Sequence, residues 1–147
     1  MNEADVQPDV AAAMAEFGCS SPVVEPDNAD YGAIVCRAGR DAVRFRVGKT
    51  TPTKVGFFVT VWERAADGST RPFPSGDGVD LLVVVVRDGE QAGRFAFSKT
   101  ALVEHGIASV DGVGGKRGFR VYPPWSQTSN PQAMRTQAWQ VGFFATR

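Results

Sequence analysis

The chain has 147 residues, of which 43% are hydrophobic and 10% aromatic, and its 16 basic and 16 acidic side chains cancel to a formal charge of zero. This composition predicts one folded domain over residues 1–147 and excludes a disordered chain. The longest apolar run, Val79–Val86 with Asp80 inside it, is too short to cross a membrane. No export signal is recognisable at the start, so we expect a soluble cytoplasmic protein.

Hydrophobic periodicity and turn residues predict a mixed sheet with a few helices, in the α/β or α+β class. In the first half we expect a helix over Asp9–Phe17 with Asp9 as N-cap, a connector over Ser20–Asp30, strands over Ala33–Arg37 and Ala42–Gly48 joined at Gly39-Arg40, and a strand over Lys54–Glu63. In the second half we expect a loop over Pro72–Gly78, a central strand over Asp80–Arg87, a strand over Gly93–Phe97, a helix from Ser98 to His105, a strand over Lys116–Tyr122 and a helix from Asn130 to about Phe144, with Met134, Ala138 and Val141 as its core stripe.

The cysteines and the histidine offer little chemistry. Two cysteines, Cys19 and Cys36, exclude a disulfide framework. The single histidine, His105, cannot complete a Cys/His zinc site, and a nucleophilic triad would need it as the base. Its position before Gly106 instead predicts the last turn of a helix, where the imidazole complements the helix dipole. We expect neither a cofactor nor a metal.

The zero net charge hides an uneven distribution. Residues 1–30 hold seven acids and no base, whereas residues 31–147 hold all 16 bases and nine acids, so this body carries about +7. Within the body, residues 42–62 and 112–147 contain bases and no acid. Such stretches are typical of a surface that binds a polyanion. The alternative is that they are solvated faces whose acids come from elsewhere in the fold.

The stretch from Lys116 to Trp125 is the richest in chemistry. If Lys116–Tyr122 is extended, Phe119 and Val121 face the core, and Lys116, Arg120 and Tyr122 share the opposite face. Cations beside aromatic rings suit single-stranded nucleic acid, because the cations hold phosphates and the rings stack on bases. The alternative is an ordinary surface strand with Tyr122 and Trp125 at the rim of the core.

A second basic stretch runs from Arg44 to Lys54. Its lysines and threonines have a composition that contacts phosphates, and Pro52 predicts a bend between the two lysines. The alternative is a polar hairpin connection. Taken together, the two stretches predict phosphate contacts from Arg44, Arg46, Lys49, Lys54, Lys116, Arg117 and Arg120, and stacking from Tyr122 and Trp125.

Long strings of the sequence resemble the MepB family. They are FRVGKTTPTKVGFFVTVW over residues 45–62, GRFAF with Lys99 over 93–99, GGKR through YPPW over 114–125, and TQAWQ over 136–140. The likeness covers about residues 31–144 and leaves the acidic start outside it. The resemblance implies a core similar to that of the PD-(D/E)xK nucleases, adapted to nucleic-acid binding without the nuclease site.

The nuclease site can be tested on the sequence. It needs an acid two positions before a lysine, so that both side chains reach one metal-bound water. The four lysines are preceded at that spacing by Val47, Pro52, Phe97 and Gly114. We therefore expect a non-catalytic protein that binds single-stranded DNA or RNA.

Three further hypotheses remain open on the sequence. Glu63, Asp77 and Asp80 could form a degenerate site for a metal-dependent nuclease. A small-molecule binder is a third class, which no residue favours. Finally, acidic residues 1–30 could compete with nucleic acid for the basic body, unless the predicted first helix packs through Val10, Met14 and Phe17.

Overall fold

The computed structural model describes residues 6–147 and consists of a mixed sheet with a few helices, as predicted. The strands are β1 (Ser20–Val24), β2 (Ile34–Ala38), β3 (Asp41–Val47), β4 (Lys49–Thr51), β5 (Lys54–Thr60), β6 (Trp62–Arg64), β7 (Thr70–Pro72), β8 (Leu81–Asp88), β9 (Gln91–Ser98), β10 (Gly118–Val121) and β11 (Phe144–Thr146). The helices are α1 (Pro8–Phe17), α2 (Lys99–Glu104) and α3 (Pro131–Gln140), with 3-10 segments at Pro26–Tyr31 and Val141–Phe143.

A six-stranded sheet forms the centre of the molecule, in the order β1-β2-β3-β8-β9-β11. Its neighbours are antiparallel except β3 and β8, which run parallel. β8 is the predicted central strand, and Leu82–Val86 is buried because both faces of the sheet are covered. Asp80 sets the register, since its carboxylate accepts from the Ala42 amide at 2.9 Å and its own amide donates to Ala42 O at 2.8 Å.

The two faces of the large sheet carry different layers. On one face, α1 packs through Val10 and Ala13 against Val43, Phe45 and neighbouring side chains of β8. This confirms the packed first helix. On the other face lies a three-stranded sheet in the order β10-β5-β4. Its inward side chains meet those of β8 and β9 in the main core, which also includes Phe57, Val59, Phe119 and Val121.

Helix ends follow the predicted caps in two of three cases. The Ser98 hydroxyl accepts from the Ala101 amide at 3.1 Å, and the Asn130 side chain accepts from the Ala133 amide at 2.8 Å. The prediction for α1 is wrong by two residues: Gln7 is its N-cap, with proline at the first helical position. Asp9, free of a capping role, binds arginines instead. None of the helices in residues 6–147 has the length and apolar character needed to cross a membrane.

The predicted connector over residues 20–30 is wrong. It forms β1 and a 3-10 segment, because β1 adds to the edge of the large sheet beside β2. The pairing places Ser20 opposite Arg37 and so brings Cys19 beside Cys36. These two cysteines form a disulfide with their Cα atoms 5.7 Å apart. Two cysteines cannot form a disulfide framework, but this single disulfide was not predicted from the sequence.

The predicted core stripe of the last helix is also wrong. Met134 is 52% exposed and Val141 37% exposed, whereas Ala133 and Gln140 are buried. The helix turns this face inward because its glutamines satisfy backbone groups of the β10 region. The Gln140 side chain donates to Arg120 O at 2.9 Å and accepts from the Tyr122 amide at 2.8 Å. These two bonds satisfy backbone groups at the edge of the three-stranded sheet that would otherwise need a neighbouring strand.

Candidate nucleic-acid interface

A groove of about 680 Å³ lies between the outer face of the three-stranded sheet and α3, and we call it the basic groove. Its floor comes from β5, β10 and the turn before β5, and its walls come from the end of α2 and the first turns of α3. The lining residues are Thr53, Lys54, Val55, Phe58, His105, Ile107, Lys116, Gly118, Phe119, Arg120, Tyr122, Thr128, Ser129, Asn130, Gln132, Ala133, Thr136 and Trp139.

Three cations face this groove, and among the described residues no aspartate or glutamate lines it. Lys54 and Lys116 are exposed, and within residues 6–147 neither ammonium group is paired with a carboxylate. Arg120 is half-buried. Three positive charges in a groove without a described carboxylate create a potential that attracts anions.

Arg120 also holds the groove in shape. Its guanidinium donates to Thr51 Oγ1 at 2.9 Å, to Val55 O at 3.1 Å and to Gly56 O at 3.2 Å. These bonds tie β10 to the end of β4 and the start of β5. The arginine therefore keeps its charge in the groove while positioning the segment that carries Lys54.

A stacked pair of rings forms part of the wall. The His105 imidazole and the Trp139 indole lie 3.8 Å apart between centroids, with an interplanar angle of 5°. Trp139 in turn packs against Phe97 of the main core. The sequence placed His105 at the end of its helix correctly, but it carried no signal for this partner 34 positions later, because only the tertiary fold brings α2 beside α3.

The groove contains four of the nine residues predicted to contact nucleic acid: Lys54, Lys116, Arg120 and Tyr122. Lys49 lies on the same face of the three-stranded sheet, because it pairs with Phe58 across β4 and β5, and its ammonium sits 4.4 Å above the ring of Tyr31.

Two other predicted residues lie outside the groove. Arg117 is exposed, but its guanidinium donates to the hydroxyl and the carbonyl of Thr70 at 3.0 and 2.8 Å. Trp125 packs edge-on against Phe57 and Phe144 at the rim of the core, which is the alternative that the sequence left open.

Arg44 and Arg46 are buried between the two sheets, contrary to a role in contacting phosphates from the surface. Arg46 is 0% exposed and donates to Glu25 Oε1 at 2.7 Å and to Thr60 O at 3.2 Å. Arg44 is 8% exposed, donates to Asp77 Oδ2 at 3.0 Å, and lies 3.6 Å from the centroid of Phe73. Burial lowers the pKa of Arg46, and Glu25 opposes this shift.

The three acids considered for a nuclease site are each bonded elsewhere. Glu63 accepts from Arg71 at 2.7 Å, Asp77 accepts from Arg44, and Asp80 holds the start of β3. Within residues 6–147, no group of three histidines, cysteines or acids is placed to hold a metal ion. Each of these carboxylates therefore makes its own structural contact, and the three do not converge on one metal site.

Comparisons with known proteins agree with the resemblance seen in the sequence. A family model for MepB-like proteins matches residues 25–146. A crystal structure of MepB superposes with a TM-score of 0.85 at 32% sequence identity, over 96% of this chain and 97% of that chain. No curated protein matches the chain.

Proposed function

The chain belongs to the MepB-like family, and from this premise and the geometry of the basic groove we propose that it is a non-catalytic protein that binds single-stranded DNA or RNA. One observation carries the proposal: Lys54, Lys116 and Arg120 converge on a groove that no described carboxylate lines. Phosphates of a nucleic-acid backbone would neutralise these charges and release counterions.

The shape of the groove favours a single strand over a duplex. Helices and two-stranded ribbons read the major groove of DNA by projecting into it, whereas here the cations lie inside a concave site. Proteins that bind single strands combine such a cationic groove with aromatic rings on which bases stack. Phe58, Tyr122 and the His105–Trp139 pair supply rings at this site.

The absence of catalysis is part of the proposal. Support comes from the lysines, since the positions two residues before them hold no acid. Further support comes from Glu63, Asp77 and Asp80, whose bonds to arginines or backbone would have to break before they could bind a metal. We propose that only the core is similar to that of the PD-(D/E)xK nucleases. Degradation of an oligonucleotide that requires Mg²⁺ and is lost in Asp80→Asn would favour a nuclease instead.

The proposal is tested by removing the two unpaired lysines. We expect the double variant Lys54→Ala/Lys116→Ala to bind a single-stranded oligonucleotide more weakly at low salt. The slope of log K against log salt should become shallower by about 0.7 per lost phosphate contact, hence by about 1.4. Fluorescence anisotropy across a salt series measures both quantities.

A matched control removes two charges elsewhere. Arg37 and Arg40 are exposed at the turn between β2 and β3 and do not line the groove. The variant Arg37→Ala/Arg40→Ala should keep the wild-type salt slope. Equal losses in the two double variants would show that net charge, and not the groove, governs binding.

A further inference from the structure

Two aromatic rings lie across glycines on the outer face of the three-stranded sheet. Tyr122 of the segment following β10 stands opposite Gly56 of β5, and a Cβ atom added to Gly56 would lie 2.7 and 2.8 Å from Cδ1 and Cε1 of its ring. Phe58 of β5 reaches back over Gly118 of β10, where an added Cβ would collide with Cζ and lie 3.0 Å from Cε1. Each ring therefore covers the backbone of the other strand.

This seating leaves the outer faces of the rings toward the groove. Phe58 and Tyr122 are both half-buried, and both line the basic groove. Val55, next to Gly56, and Phe119, next to Gly118, line it as well. Tyr31 meets Phe58 at an interplanar angle of 70° and is not among the residues that line the groove, so it supports this ring from beside the groove. Glycine is required at positions 56 and 118 because a side chain there would displace the ring from the strand.

The strand register fixes the spacing of the two rings. Phe58 pairs with Arg120 and Gly118 pairs with Thr60, whereas the ring of Tyr122 lies over Gly56. Because the ring of Phe58 reaches over Gly118, the two rings diverge, and their separation along the strands lies between two and four residues, or about 7–13 Å. That separation suits bases of an extended, unstacked strand, whose bases can spread beyond the 3.4 Å rise of a stacked helix. RNA-binding sheets use exposed aromatic residues in this way to stack two or three bases.

Lysines flank the pair of rings at both ends. Lys116 comes two residues before Gly118, which carries the ring of Phe58, and Lys54 comes two residues before Gly56, which carries the ring of Tyr122. Both lysines line the groove, and along the strands the side chains follow in the order Lys116, Phe58, Arg120, Tyr122 and Lys54. The charge of Arg120 lies between the rings, held by its bonds to β4 and β5.

We propose that Phe58 and Tyr122 form a stacking platform for two unpaired bases of one strand, with Lys116 and Lys54 holding the phosphates at its ends. The inference rests on the proposed function and specifies its ligand: a single strand recognised through its bases as well as its phosphates. Neither Phe58 nor the two glycines was among the residues predicted from the sequence.

The test compares a short oligothymidylate with an abasic strand of the same length, which keeps the phosphates and lacks the bases. Wild-type protein should bind the oligothymidylate more tightly. Phe58→Leu and Tyr122→Leu should each weaken binding of the oligothymidylate by about fivefold or more, while binding of the abasic strand and the salt slope stay unchanged. Phe58→Tyr, which keeps a ring, should retain the preference. Gly118→Ala should reduce it with Phe58 still present.

Each outcome separates the platform from the groove. Equal wild-type affinity for the two strands, with a normal salt slope, would overturn the platform and leave the proposed function intact. Failure to bind either strand at low salt would overturn both. As a measurement that needs no variant, 2-aminopurine placed in the bound strand should lose fluorescence on stacking. An unchanged signal in the saturated complex would contradict the platform.

Discussion

Glu25 holds two buried arginines in place between the sheets. Its Oε1 atom accepts from Arg46 at 2.7 Å and from Arg44 at 3.4 Å. Arg46 cannot reach water, so its charge depends on this carboxylate and on the carbonyls of Phe45 and Thr60. Removing one partner of a buried ion pair leaves an uncompensated charge, which costs far more than losing a pair at the surface.

We expect Glu25→Ala to lower the free energy of unfolding by about 3 kcal/mol, because it leaves Arg46 buried without its counter-charge. Urea denaturation followed by circular dichroism measures the change. Asp27→Ala is the control, since the pair between Asp27 and Arg64 is exposed and should contribute less than about 1 kcal/mol. Similar losses in both variants would contradict the account of Arg46.

The sequence predicted part of this arrangement. Alternation in β3 correctly placed Val43 and Phe45 on one face and Arg44 and Arg46 on the other. It could not show that a second sheet covers the arginine face, because the strands of that sheet come later in the chain. A charge count does not distinguish these buried cations from the exposed Lys54 and Lys116. The different roles of the four basic residues in one stretch could therefore not be predicted from the sequence.

At the scale of elements, α1 is attached to the large sheet by ion pairs as well as by its apolar face. Asp9 accepts two bonds of 2.8 Å from Arg87 and one of 2.8 Å from Arg147 near the C-terminus. Glu16, two turns later, accepts from Arg94. The hydrogen bond from Arg87 is the largest cause that lowers the pKa of Asp9 below its ordinary value.

The lowered pKa of Asp9 makes its contribution to stability depend on pH. A carboxylate with a lower pKa in the folded state stabilises the fold above its unfolded pKa of about 3.9 and loses this effect as the pH falls through the folded pKa. We therefore expect Asp9→Asn to be less stable than wild type at pH 7, with the difference shrinking below about pH 4. Thermal denaturation at several pH values measures it.

The control for this prediction is Asp30→Asn. Asp30 is exposed and makes no ion pair within the described part of the chain, so this change should have little effect at either pH. A stability difference for Asp9→Asn that persists undiminished at pH 3 would mean that packing, and not the ion pairs with Arg87 and Arg147, explains the effect.

The sequence predicted elements best where local signals are strong. The caps at Ser98 and Asn130, the hairpin of β2 and β3, and the valine-rich β8 are all confirmed. It failed for β1, whose five residues are all exposed and gain their strand conformation from pairing with β2. The same pairing brings Cys19 and Cys36 together in the disulfide.

Across the whole molecule, the acids of the N-terminal region neutralise arginines away from the basic groove. Asp9, Glu16, Glu25 and Asp27 each pair with arginines of the body, and none of these acids lines the groove. Glu3 and Asp5 lie outside the described residues. Asp9 and Glu16 thus compensate arginines on the α1 side of the large sheet, Glu25 and Asp27 compensate arginines elsewhere, and the groove keeps uncompensated cations.

The same distribution of charge explains which parts of the groove could be predicted from the sequence. The acid-free stretches contain β5 and β10, which form the floor of the groove, and alternation placed Lys116, Arg120 and Tyr122 on one face. Phe58 was missed because its alternation partner Phe57 is equally apolar, so the pattern did not show which ring faces outward. The contribution of α3 and of Trp139 depends on packing between distant segments.

Binding of a single strand in the basic groove is tested most directly by mapping amide chemical shifts with ¹H–¹⁵N spectroscopy. On titration with a short oligothymidylate at low salt, we predict that the largest shifts fall in β5, β10 and the first turn of α3. Amides of α1, on the opposite face of the large sheet, should hardly move. Shifts concentrated on α1, or no shifts at saturating oligonucleotide, would contradict the account.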